Sequence, residues 1–116
     1  MYISLSEVSL ETYKQLVSAS LQIIKKAKNH FKHDDDYLND LVQMRLIDDM
    51  APLSFQVYSI VHHSVGAIEG ILNGKFSPPK VPHNLNFGDL IKLLEKAEKD
   101  LNKFSEDPKM SLKYEL

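Results

Sequence analysis

Two histidine pairs are the residues whose types best suit chemistry. His62 and His63 are adjacent in a stretch read below as helix, and a helix sets neighbours about 100° apart, so one ion cannot readily take both. His30 and His33 stand three apart and run directly into Asp34, Asp35 and Asp36, a spacing that could hold a divalent ion on one helical turn. Capping accounts for the same residues: His is favoured at a helix C-terminus, and an acidic residue is a good cap for the helix that follows. A third group, Arg45, Asp49 and Gln56, is either the floor of a ligand pocket or a set of side chains that satisfy backbone groups at helix ends, and the second reading is preferred. Arg45 and Asp49 are four apart, the spacing of a charge-assisted pair that would pin a turn. No cysteine is present, no nucleophile has a recognisable base, and no Gly-rich phosphate loop occurs, so the chain is expected to be non-catalytic.

Composition narrows the field further. At 116 residues, with 43% hydrophobic and 26% charged residues, the chain is sized for one domain spanning residues 1–116. A formal charge of −2 gives no field for a polyanion, and nucleic acid is not an expected partner. No run approaches the ~20 apolar residues of a membrane span and the N-terminus lacks a basic leader, so the expected home is the cytoplasm.

The elements that must position these residues are helical. Leu10, Tyr13, Leu16, Val17, Ile23, Ile24, Ala27 and Phe31 recur at spacings of three and four, which predicts a helix over residues 10–31 with Ser9 as its cap. A short helix follows over about 37–46. Residues 52–73 read as one long helix with Pro52 in the first turn and Gly74 as a left-handed stop. On it Ser59, His63, Gly66 and Gly70 form a strip with little side chain; each Gly costs about 1 kcal/mol of helix propensity, which close approach of another helix would offset. The Ser-Pro-Pro-Lys-Val-Pro stretch from Ser77 to Pro82 must be an extended crossover. Asn86 with Asp89 forms a capping pair for a helix whose Phe87, Leu90, Leu94, Ala97, Leu101 and Phe104 face inward. In the tail, residues 105–116, Met110, Leu112, Tyr114 and Leu116 alternate with polar residues, the period of a half-buried strand, and Met1 to Leu5 is its candidate partner.

The junction Arg45-Leu46, Asp49-Met50, Pro52-Leu53 and Phe55-Gln56-Val57, with Ser4-Leu5 and Ser9 before it, His30 ending the first helix and Phe87 and Leu90 opening the last, resembles an uncharacterised bacterial and fungal family. This is domain of unknown function 1993, grouped with the DinB-like four-helix bundles. The resemblance implies an all-α bundle with three long helices, a short connecting helix and the strand-like tail. Members of the family continue into a fourth long helix with a Phe-His-Val-x-x-Ala-Tyr stretch, and nothing here corresponds to it. A fourth helix that covers ~500 Å² of apolar surface is worth on the order of 10 kcal/mol, which rivals the stability of a small domain. The uncovered groove is then closed by a second copy in a homodimer, with Ser59, Gly66, Gly70, Leu112 and Tyr114 as candidate interface, or the reading frame is truncated. DinB-like metal proteins take one His from the second helix and a pair from the fourth. The resemblance therefore leaves His62 or His63 as a candidate ligand in a degenerate metal-dependent transferase or hydrolase, while a small-ligand module with an unknown small molecule is a further alternative.

Overall fold

Ser4 and Glu7 shape the start of the chain: the Glu7 N–H donates to Ser4 Oγ at 3.2 Å and the Ser4 N–H to Glu7 Oε2 at 3.4 Å. This reciprocal pair is a capping box, and it sets a wide helical turn over Ser6–Leu10 that runs straight into α1, Glu11–His30. Ser9, expected as the cap, is instead buried inside that turn. The computed structural model describes residues 1–4, 6–78, 80–82 and 84–115, with Tyr114 described by its backbone alone. Leu5, Pro79, Leu116 and the Tyr114 side chain, all of which carry expectations above, lie outside the described residues.

Asp34 caps α2, Asp35–Val42, by accepting the Tyr37 N–H at 3.0 Å, so the acidic run does serve as a helix start. α2 ends at Val42 rather than near Leu46. The chain then makes a closed loop, because the Leu53 N–H returns to the Met44 carbonyl at 3.1 Å. Pro52, in extended conformation, precedes α3, Leu53–His62.

The expected long helix over 52–73 is two helices, α3 and α4, Val65–Asn73. The break sits at His63 and Ser64 and has a local cause. The fully buried Ser64 hydroxyl donates to the Ile60 carbonyl at 2.7 Å, with Val61 O at 3.2 Å, while the Ser64 N–H slips to the Val61 carbonyl at 3.3 Å. A side chain that takes the carbonyl its own N–H would have taken tightens the turn and bends the axis. Gly74 ends α4 at φ 79°, the left-handed stop expected of it.

α5, Phe87–Phe104, carries the capping box read from the sequence: Asp89 N–H to Asn86 Oδ1 at 2.8 Å, and Asn86 N–H to Asp89 Oδ2 at 2.9 Å. It runs through the middle of the fold and packs against α1, α2, α3 and α4. Leu90, Leu94, Ala97 and Leu101 are buried along it and join Val17, Leu21 and Ile24 of α1 and Val57 and Ile68 of α3 and α4 in one core. Asn39 of α2 accepts the Phe87 N–H at 3.3 Å and ties α2 to the start of α5.

The tail departs from a simple strand. Asp107 caps a single helical turn, α6, Pro108–Ser111, which drives Met110 into the core. Lys113–Glu115, β2, then pairs antiparallel with β1, Tyr2–Ser4, in the register Ser4 to Lys113 and Tyr2 to Glu115. Pro108 with Asp107 ahead of it starts helix more strongly than period-two alternation opposes it over four residues. The fold is all-α apart from this ribbon. Its extents are 51 × 27 × 21 Å, with a radius of gyration of 16.1 Å, against about 13.4 Å for a compact chain of this length.

Candidate functional site

Two of the concavities that these elements build adjoin the residues singled out above. The first is a groove of about 340 Å³ between α3 and α4 on one side and α5 on the other. Tyr58, His62, Val65 and Glu69 form one wall, and Leu93, Lys96 and Asp100 the other. Lys96 and Asp100 are one turn apart on α5 and meet at 2.9 Å. Asp100's hydrogen bond and charge, with a smaller contribution from Glu69, raise the Lys96 pKa above its ordinary value. The ammonium stands in water, so the pair orients charge along the groove and contributes little to stability.

His62 closes one end. Its ring is tilted against Phe76 with centroids 4.8 Å apart, and its Nε2 is hydrogen-bonded to the Ser77 carbonyl. One ring nitrogen of His62 thus holds down the segment returning from α4. His63 turns its edge towards His62 at 5.4 Å and is exposed. Among the described residues no group of three or more His, Asp or Glu is positioned around one point to hold a metal ion. His30 rests edge-on against Phe31 at 4.6 Å.

The same returning segment lies against one glycine of the strip, and the His62 ring lies against the other. A Cβ on Gly70 would lie 2.8 Å from the Lys75 carbonyl oxygen and 3.2 Å from Phe76 Cβ; one on Gly66 would lie 3.2 Å from His62 Nδ1. Within the chain it is Lys75 and Phe76 that approach Gly70. Ser59, on the preceding helix, is half-buried, and its carbonyl accepts the His63 N–H at 2.8 Å. Leu112 is exposed beside the terminal ribbon.

The second concavity is the α2–α3 junction, an apolar pocket of about 240 Å³ lined by Leu41, Met44, Leu46, Met50, Leu53 and Gln56. Gln56 is the one member of the polar trio that reaches it; its side-chain amide donates to the Ala51 carbonyl at 3.3 Å. Arg45 and Asp49 do not pair. Because α2 stops at Val42, the two are not on one helix face, and the Arg45 guanidinium donates to the Asp48 carbonyl at 3.2 Å instead. Both contacts hold the loop in shape. Sequence reasoning passed over Phe76, Lys96 and Asp100 in the groove and Leu46 and Ile47 at the junction. The i, i+4 pairing of Lys96 with Asp100 and two adjacent aliphatic residues between polar ones were the available signals.

A helical bundle with an open inter-helix groove is the class these features define. The family model described as a domain of unknown function, DUF1993, matches residues 5–113, and the chain belongs to that family. No curated protein and no solved structure matches the chain significantly. Among the described residues no helix is long and apolar enough to cross a membrane.

Proposed function

We propose that this protein is a non-catalytic bundle of the DinB-like kind that acts through self-association, two copies covering apolar surface that one leaves in water. One observation carries the reading. The accessible surface is 8015 Å² for 13.3 kDa, whereas a compact monomer of that mass exposes about 6,450 Å². The excess, about 1,600 Å², is of the order that each partner contributes to a permanent dimer interface. Large apolar side chains supply part of it: Leu16 and Ile23 on α1, Met44, Leu46, Ile47 and Phe55 around the junction, Ile71 and Phe76 after the break. The order of α1, short α2, α3 with α4, and α5 supports the DinB-like kinship. Sedimentation equilibrium tests the proposal: a concentration-dependent dimer supports it, and a monomer throughout overturns it.

The small-ligand reading retains one favourable observation. The α3/α4–α5 groove has the volume of a small-molecule site, with Tyr58, Lys96 and Asp100 as its polar contacts. A thermal-shift screen of small charged metabolites that shows no stabilisation, with the Lys96→Ala variant as control, would remove it.

A further inference from the structure

The excess surface does not say where two copies would meet, and this inference rests on the self-association reading. We propose that the contact is an isologous one, junction to junction, in which the loop between α2 and α3 of each copy inserts an apolar knob into the apolar pocket of the other.

Three observations locate it there. Leu46 and Ile47 are consecutive and 83% and 63% exposed, and Leu46 is itself part of the wall of the apolar pocket that Leu41, Met44, Met50 and Leu53 also line. Knob and hole on one patch are the self-complementary arrangement that a two-fold axis requires. Leu16 and Ile23 lack this combination, standing on the outer face of a regular helix; Ile71 and Phe76 also border a concavity, of about 450 Å³, but its lining includes Gly70, Gly74 and Lys75, whereas Gln56 is the one polar residue lining the junction pocket.

The knob is also held rigid. Leu53 N–H to Met44 O at 3.1 Å closes the loop, Met50 N–H to Ile47 O at 3.1 Å forms an inner turn, and Arg45 bonds the Asp48 carbonyl at 3.2 Å. A loop fixed in its bound shape loses little freedom on association.

Charge supplies the rim. Arg45, Asp48 and Asp49 are exposed, and among the described residues the ion pairs are Lys14 with Glu11 and Lys96 with Asp100, so the junction's charges of both signs have no ion-pair partner among those residues. Across a two-fold axis the arginine of one copy faces the carboxylates of the other, twice. The occupant is thus a second copy rather than a foreign apolar peptide, which would match only the pocket.

The test compares point variants of the intact protein, with circular dichroism to confirm that each is folded. Leu46→Asp should weaken association by roughly thirty-fold or more, the scale of a central interface residue, and Ile23→Asp should leave it unchanged. A mixture of Arg45→Asp and Asp49→Arg chains should associate more tightly than either chain with itself, because only the mixed pair restores both ion pairs. A dimer that survives Leu46→Asp but is lost with Ile23→Asp overturns the junction contact and leaves self-association standing. A mixture no tighter than its components overturns the proposed pairing across the axis. A wild-type chain that is monomeric at every concentration overturns both proposals.

Discussion

Replacing Gly70 with Ala sets two effects of known size against each other. Ala is favoured over Gly inside a helix by about 1 kcal/mol, so on propensity alone the variant gains stability. The structure opposes this. The new methyl would lie 2.8 Å from the Lys75 carbonyl oxygen and 3.2 Å from Phe76 Cβ, and a backbone atom cannot rotate away as a side chain can. Inserting a methyl into a closed contact costs ~1–3 kcal/mol. The balance is a net loss of about 1 kcal/mol, or about 4 °C in Tm for a chain of this length. Thermal unfolding followed by circular dichroism measures it. Gly66→Ala is the control, since its methyl meets only the ring of His62 at 3.2 Å, which can give way; that variant should be neutral or slightly stabilised. A Gly70→Ala protein whose Tm rises by about 4 °C, realising the whole propensity gain, would refute the packing of residues 75–77 on α4. The reasoning would then return to Gly70 as an open seat for another helix.

Two further predictions concern α5. Asn86→Ala removes one side of the box that joins Asn86 and Asp89 and should cost about 1 kcal/mol in urea unfolding; a loss below a few tenths would show that water replaces the cap fully. Asp100→Asn should return the Lys96 titration towards its ordinary value, read by NMR of the Lys96 side chain. Because the Lys96 pKa is raised in the folded protein, whatever stability the pair contributes is present below the ordinary value of 10.5 and is lost as the pH rises through the folded value. Near neutral pH, where that contribution is present in full, Asp100→Asn should be at most slightly less stable than wild type, since an exposed pair contributes little, and the difference should close as the pH rises through the Lys96 titration.

How far the chain could be read without coordinates depended on whether the signal was local. α5 was legible because its inward residues keep one phase for eighteen residues and its cap lies four residues across. Gly74 was legible because only a left-handed stop needs glycine there. The break at Ser64 was not, because Val57, Val61, Val65 and Ile68 stay in helical phase on both sides of it, and one hydroxyl decides the matter. Ser9 drew attention away from Ser4, although the Ser4-to-Glu7 spacing was the better cap signature. At the candidate site the polar residues were found but their partners were misjudged. Arg45 and Asp49 pair only if α2 continues, and α2 stops three residues before Arg45. What faces Gly70 depended on where Lys75 and Phe76 return, which is a tertiary fact with no trace in helix periodicity.

The central claim is that this chain leaves surface uncovered because another copy covers it. Sedimentation equilibrium of the intact protein across a wide concentration range measures this directly. The account predicts a reversible monomer–dimer equilibrium that shifts to monomer when Leu46 is replaced by Asp. A single species of 13.3 kDa at every concentration would contradict it.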